Sequence, residues 1–386
     1  MTTPAEAAIR AEIARRGSIP FADFMALALG HAEGGYYAAA SARPTRGGDF
    51  LTAPELHPIF GATLARQIAE AWERVGRPAR FTLVEYGAGA GTLALAILAG
   101  LRDDGSPLAD ILVYAPVEMN RHRLAELGAR AAAAGLAVVD PAGPDDRPVA
   151  GVILANEYLD ALPVHLLEVR DGRAREVRVT VGADGELGET LDEPSDPALR
   201  DRLERLAREG IGLAEGQRLE IRPAVEAWAG EAGRRLAAGL VVVIDYGAPA
   251  ADLYGPRRRA GTLMTYRGHV AEGDPGAPYR DVGERDITAH VDSTALAAAL
   301  AAAGLEVLGE TSQAELLVGC GLEELVQRCQ ARLARASEAL ELRSAVMRLL
   351  DPRHLGGFRA VLAGRGIVTE PPLRGLSFRM PGTLRR

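Results

Sequence analysis

Three glycines at alternate positions, Gly87, Gly89 and Gly91, lie between an apolar run, Phe81–Tyr86, and an apolar helical pattern, Thr92–Arg102. No other feature constrains the fold as tightly. Glycines between a strand and a helix let the backbone turn sharply and approach a ligand closely. From residue 81 the chain is thereby committed to alternating strands and helices, with a ligand at the carboxyl ends of the strands.

The rest of the chain from Phe81 fits that scheme. Phe81–Tyr86, Ile111–Glu118, Gly151–Ala155 and Leu240–Tyr246 read as buried strands, and Thr92–Arg102 and Arg121–Ala134 as helical crossovers. The expected class is α/β, a Rossmann-like sheet with helices on both faces. Each strand ends in polar or acidic residues, so Glu85-Tyr86-Gly87, Glu118, Asn156-Glu157 and Asp245-Tyr246 converge on one crevice. Residues 1–80 read as a helical segment packing on a domain of residues 81–386, with helices at Ala5–Arg16, Phe21–Leu29 and Ile59–Val75. Two insertions are expected. One spans about 166–216 and holds a hairpin around Asp171-Gly172; the other is helical and spans about 321–350. After the Gly/Pro/Arg-rich stretch Pro249–Asp286 come a helix at Thr294–Ala303 and strands at Leu305–Gly309 and Phe358–Leu362.

The spacing of the loop narrows its ligand. A dinucleotide loop GxGxxG requires glycine at the position of Thr92, whereas E-x-G-x-G-x-G is the spacing found in methyltransferases that use S-adenosylmethionine. A dehydrogenase is the alternative at the level of fold. Glu118, at the end of the second strand, is placed to accept hydrogen bonds from the two ribose hydroxyls. Asp140 is either a third strand end near the adenine or a turn before Pro141.

On the acceptor side, Asn156-Glu157-Tyr158-Leu159-Asp160-Ala161-Leu162-Pro163 offers two carboxylates. A guanidinium stays protonated and presents a planar fork that a carboxylate grips bidentately, so this pair suits an arginine acceptor. Glu157 is the first candidate for the grip and Asp160 the second. The bland readings are a helix cap for Asp160 and a solvated loop charge for Glu157. Two further segments are candidates to line the site: Gly47–Pro58, which contributes Glu55, and Asp286–Asp292, which contributes His290 as a third catalytic candidate. Asn156 is assigned to the cofactor side and Asp245 to the substrate side. Asp292 can equally be no more than a helix N-cap. His165 and His269 read as surface or packing residues.

Composition removes other chemistries. The chain has no lysine, which excludes a Walker A loop and a Schiff base. Cys320 and Cys329 fit no zinc motif, and no metal is expected. A net charge of −8 argues against nucleic acid as partner. Apolar stretches fall short of the roughly 20 residues that span a bilayer, and Met1–Arg16 lacks the apolar region of a secretory signal, so a cytoplasmic location is expected.

Seven segments, in this order, resemble the MidA family: GGDFLTAPELHPIFGATLARQ, VEYGAGAGTL, ANEYLDALPVH, VVVIDYG, GTLMTYRGH, DITAHVDSTAL and LGGFRAVLAG. The resemblance spans most of the chain. It implies a class I methyltransferase fold and S-adenosyl-L-methionine as donor. It also implies symmetric dimethylation of a protein arginine in a partner such as a quinone-side subunit of NADH dehydrogenase, within complex I assembly. It assigns Gly87, Gly89 and Gly91 to the cofactor loop, and Glu157 and Asp160 to the motif facing the substrate. The chain departs from the family in EYGAGAG for ELGPG, in Arg222 where serine before proline is usual, and in LGGFRA for a Met-Gly ending with lysine. A small-molecule or peptide methyltransferase and a noncatalytic assembly factor are the competing functions. A homodimer is compatible with all of them.

Overall fold

Strands buried on both faces must be apolar at successive positions, and Phe81–Tyr86 (β1) is buried at every residue. The computed structural model describes residues 2–38, 52–139, 148–267 and 270–380. Its main sheet adds Leu112–Val117 (β2), Ala137–Val138 (β3), Val149–Asn156 (β4), Leu236–Asp245 (β5), Glu306–Ser312 (β6) and Arg359–Arg365 (β7). The spatial order is β6-β7-β5-β4-β1-β2-β3. The pairings β1–β2, β1–β4, β4–β5 and β2–β3 are parallel, while β7 runs antiparallel to both β5 and β6.

Alternation along the strands sends neighbouring residues to opposite faces. Leu83, Val152 and Leu240 meet helices Ile59–Arg74 (α1) and Thr92–Asp103 (α2), and Leu127 of Arg121–Ala133 (α3) packs in the same layer. Val84, Ile153 and Val241 meet Pro223–Arg235 (α4) and Ser293–Ala302 (α5). Helices thus cover both faces, as expected of a Rossmann-like sheet. The carboxyl ends of β1, β2, β4 and β5 lie side by side.

Several boundaries differ from expectation. Ile111 belongs to a helical turn, Leu108–Ile111, so β2 begins one residue later. β5 begins at Leu236, four residues earlier than its apolar run suggests. The hairpin around Asp171-Gly172 is present, with both residues at positive φ (52° and 70°) as a tight two-residue turn requires. It is part of a larger unit. His165–Arg170 and Arg173–Val181 join Leu187–Asp192, Arg218–Ile221 and the two-residue strand Ile19–Pro20 in a second, antiparallel sheet.

Residues 1–80 divide accordingly. Helices Pro4–Arg16 and Phe21–Gly30 bury Ile9, Phe21 and Phe24 against Leu166 and Val179 of the second sheet, whereas α1 packs on the first. The stretch Pro249–Asp286 is not irregular throughout: Met264–Arg267 pairs with Val270–Glu272 and with Asp286–Thr288. Asp140, Gly47–Leu51 and His269 lie outside the described residues.

Candidate functional site

The loop after β1 holds Gly87, Gly89 and Gly91 at φ 69°, 54° and 75°, in the left-handed region that favours glycine. A Cβ at Gly87 would come within 3.0 Å of Tyr158 Cδ2, and one at Gly91 within 3.0 Å of Leu127 Cγ. At Gly89 the nearest atom would be Arg123 Nη1, 3.9 Å away at the end of a flexible side chain. The two outer glycines are closed in by protein, and the central one borders space that only the Arg123 side chain reaches.

Glu118 follows β2 beside that space. Its Oε2 accepts the Gly89 N–H (2.7 Å) and its Oε1 the Asn120 N–H (2.7 Å), which orients the carboxylate across the loop. Each oxygen retains capacity for another donor, as a pair of ribose hydroxyls requires. Asn120 in turn caps α3 through the His122 and Arg123 N–H groups. The glycine cradle, the oriented carboxylate and the amino terminus of α2 fit an adenosyl cofactor.

On the next strand the chain turns abruptly after Asn156. Glu157 has φ 49°, a strained conformation for a residue with a side chain, and its N–H is fixed by Ile244 O at 2.8 Å. Asp245 builds the turn that follows. Its Oδ2 accepts the N–H groups of Tyr158 (3.2 Å), Leu159 (2.8 Å) and Asp160 (3.2 Å), and its Oδ1 accepts that of Tyr246 (2.9 Å). Asp245 was expected to face the substrate, but it is buried and these bonds make it the anchor of the acceptor turn.

Glu157 Oε1 accepts the Ala53 N–H (3.0 Å) and the Asn156 Nδ2 group (3.2 Å). Its Oε2 has no hydrogen-bond partner among the described residues, and the same holds for Asn156 Oδ1 and Asp160 Oδ1, all of them buried oxygens. Asp160 does not cap a helix; it sits in a turn and is only 4% exposed. Burial raises the Glu157 carboxyl to about 7, and the charges of Asp245 and Glu55 push the same way. Burial also raises Asp160 well above the usual range, with Asp245, Asp286 and Glu157 adding to the effect and Arg222 opposing it.

The remaining candidates take separate places. Glu55, on the turn Ala53–Leu56, is close enough for its charge to reach Glu157. Asn156 was assigned to the cofactor side, yet its amide lies on Glu157 and belongs to the acceptor turn. His290 stacks on Tyr246 and meets Arg258 Nη1 at 3.3 Å. Burial, with Arg258 and Arg222, drives its pKa down to about 4, so it is neutral at ordinary pH and a weak base. Its expected catalytic role is not favoured by that setting. Asp292 caps α5 through the Ala295 N–H and pairs with Arg202.

Sequence reasoning did not find Tyr37, whose hydroxyl donates to Asp286 at 2.7 Å, nor the place of Arg222, whose guanidinium donates to the carbonyls of Asp160, Leu162 and Ala289 and which appeared only as a departure from a pattern. Asp286 lay inside a segment already singled out, but nothing in the sequence pairs it with a tyrosine 249 residues earlier.

Comparison with known proteins agrees with this geometry. Residues 63–311 match a family model described as S-adenosyl-L-methionine-dependent methyltransferase. A protein from Burkholderia thailandensis, crystallised bound to S-adenosyl-homocysteine, is 32% identical, with a TM-score of 0.84 over 98% of this chain and 96% of that one. Among curated proteins, the mouse mitochondrial protein arginine methyltransferase NDUFAF7 is 27% identical over 89% of this chain and 80% of its own length. The Drosophila melanogaster homologue is 31% identical, but the match spans 45% of this chain and 44% of that protein.

These names correct the expected cytoplasmic location, since the relatives are mitochondrial. An apolar h-region reports only on secretory export, whereas organelle transit peptides are amphipathic and arginine-rich. Among the described residues, no helix is long and apolar enough to cross a membrane.

Proposed function

Because this chain belongs to the S-adenosyl-L-methionine-dependent methyltransferases, we propose that it transfers the methyl group to a protein arginine whose guanidinium is held by Glu157 and Asp160. One observation carries the reading. Asn156 Oδ1, Glu157 Oε2 and Asp160 Oδ1 are buried acceptors without donors among the described residues, gathered in a single turn. A buried acceptor left unmade costs about 1–3 kcal/mol, and a guanidinium supplies five N–H donors in one plane. The names of the mouse and human relatives, both protein arginine methyltransferases, support the same acceptor.

The bound cofactor supplies a sulfonium methyl that is already electrophilic. The work left to the protein is orientation and exclusion of water. Gly87, Gly89 and Gly91 receive the cofactor chain and Glu118 its ribose. Asp245 holds the Tyr158–Asp160 backbone so that the carboxylates present a fixed face to the acceptor. Glu157, with a carboxyl near neutrality, is suited to take the proton that the guanidinium nitrogen loses. We further propose symmetric dimethylarginine as product and a quinone-side subunit of respiratory complex I as partner, as the MidA resemblance implies.

Mass spectrometry of the host proteome, with and without the gene and scored for arginine dimethylation, tests this. Loss of dimethylarginine from one protein is expected. Labelled methyl appearing only in a low-mass product would instead make the chain a small-molecule methyltransferase.

A further inference from the structure

Glu118, the carboxylate assigned to the cofactor ribose, is tied to the acceptor side by a chain of hydrogen bonds that passes through the amino-terminal helices. The Asn120 N–H donates to Glu118 Oε1 (2.7 Å), and the Asn120 side-chain Nδ2 donates to the Tyr37 carbonyl (2.9 Å). The Tyr37 hydroxyl donates to Asp286 Oδ1 (2.7 Å). Further along the same segment, the Ala289 N–H donates to Asp160 O (3.2 Å), which brings the chain to the acceptor turn.

The backbone holds Tyr37 in this place. The N–H groups of Gly35, Tyr36 and Tyr37 donate back to the carbonyls of His31 (2.7 Å), Ala28 (3.0 Å) and Leu29 (2.9 Å), folding the chain onto the end of the helix Phe21–Gly30. A Cβ at Gly35 would stand 2.4 Å from His31 N, so a side chain has no room in that reversal. The Tyr36 and Tyr37 rings meet edge to face at 5.0 Å. Met119, between Glu118 and Asn120, lies at the same helix end, with its Cε 3.8 Å from where a Cβ on Gly30 would be.

Asp286 is anchored to the same body. Ile287 and Ala289 are buried with Phe21, Phe24 and Val282 in one apolar cluster, and Thr3 Oγ1 donates to Val282 O at 2.7 Å. The amino-terminal helices and the strand Asp286–Thr288 thus form one packed unit, and the main sheet that carries Glu118 forms another. Packed units shift as wholes rather than deform. On the cofactor side the two are joined through the Asn120 amide. A ligand that fixes the Glu118 carboxylate also restrains Asn120, then Tyr37, then the segment bonded to the acceptor turn.

We propose that Tyr37 is a positioning residue that couples the two halves of the site: with the cofactor bound, it holds the Asp286–Thr288 strand and the acceptor turn in place, so that the methyl acceptor enters second. The order of entry rests on the reading that residues 156–160 take the acceptor; the coupling rests on the cofactor alone.

The experiment is hydrogen–deuterium exchange on the full chain, without ligand and with S-adenosyl-homocysteine at saturation for each protein, comparing wild type, Tyr37→Phe and Asn120→Ser. Phenylalanine removes only the hydroxyl on Asp286, and serine removes the amide donor while still able to cap α3. In wild type the ligand should slow exchange at residues 87–92 and, by at least about fivefold, at residues 286–291. In both variants the slowing at 87–92 should persist, and that at 286–291 should fall below about twofold. A tyrosine that merely stabilises the fold would speed exchange at 286–291 equally with and without ligand, and a ligand-dependent difference left intact in either variant overturns the proposal. So does a wild type whose 286–291 amides ignore the ligand. Since no acceptor is present, failure here is distinct from failure of the arginine-acceptor reading.

Discussion

Replacing Glu157 by glutamine should make the protein more stable at pH 8 and disable it as a methyltransferase. The Glu157 carboxyl is raised from 4.5 to about 7, first by burial and then by Asp245 and Glu55. A group whose folded pKa is raised contributes stability that is fully present below its unfolded pKa and lost as pH rises through the folded value. The window here is pH 4.5 to 7. Two and a half units at 1.36 kcal/mol each give about 3 kcal/mol forfeited by pH 8. Glutamine carries no such loss, and its Oε1 can still accept from Ala53 and Asn156. Urea unfolding should show the variant close to wild type at pH 4.5 and about 3 kcal/mol more stable at pH 8.

Activity should move the other way. A buried carboxylate removed from opposite a guanidinium costs about 2–5 kcal/mol, a loss of roughly 30-fold or more in kcat/KM for an arginine acceptor. Affinity for S-adenosyl-homocysteine, read by calorimetry, should stay within about twofold, because the glycine loop and Glu118 are untouched. Equal stability differences at pH 4.5 and pH 8 would refute the claim that an ionised Glu157 is a burden. An undiminished kcat/KM would remove Glu157 from the acceptor site.

Three further outcomes follow from the same geometry. Gly91→Ala places a side chain at φ 75° and a Cβ within 3.0 Å of Leu127 Cγ, so about 1–2 kcal/mol of stability and at least tenfold in S-adenosyl-homocysteine affinity should be lost together, by thermal melting and calorimetry. Glu118→Ala deprives Gly89 and Asn120 of their acceptor and the ribose of its partner, and calorimetry should show about tenfold weaker cofactor binding or worse. Glu85→Gln should be nearly neutral at pH 4.5 and increasingly stabilising up to pH 8, since burial raises Glu85 from 4.5 to about 8 and its stability contribution is lost across that window; melts from pH 4.5 to 9 check it.

The parts of the molecule legible in the sequence are those governed by local rules. A strand buried on both faces writes itself as an apolar run, and Phe81–Tyr86 and Val152–Ala155 do so because Leu83 and Val84, or Val152 and Ile153, each find a helical layer. Gly87, Gly89 and Gly91 are legible for the same reason: their φ values exclude most side chains. What stayed hidden depends on partners far away in the chain. Ile19–Pro20 is a strand only because Arg178 and Val179 lie beside it. Met264–Arg267 carries one fully buried residue, Thr265, and owes its strand state to neighbours on either side. Asp245 looks like a crevice carboxylate until the backbone of Tyr158–Asp160 is seen to converge on it.

Two glutamates with raised carboxyls, Glu85 and Glu157, show why a raised pKa does not by itself mark a functional group here. Glu85 is shifted further than Glu157, to about 8, yet its Oε2 accepts the Tyr114 hydroxyl at 2.5 Å between adjacent strands. Burial is what raises it, while the Tyr114 hydrogen bond pulls the other way and gives that oxygen its partner inside the sheet. Glu157 is shifted less, but it has a left-handed backbone at φ 49° and an oxygen with no donor among the described residues, a condition shared there by its neighbours Asn156 and Asp160. Packing tends to relieve such costs singly, by a water or a rotamer change. A cluster of them on a turn anchored by Asp245 is relieved together only by something that brings several donors at once. The orphaned oxygens, rather than the size of any shift, therefore separate the acceptor turn from the rest of the acidic interior.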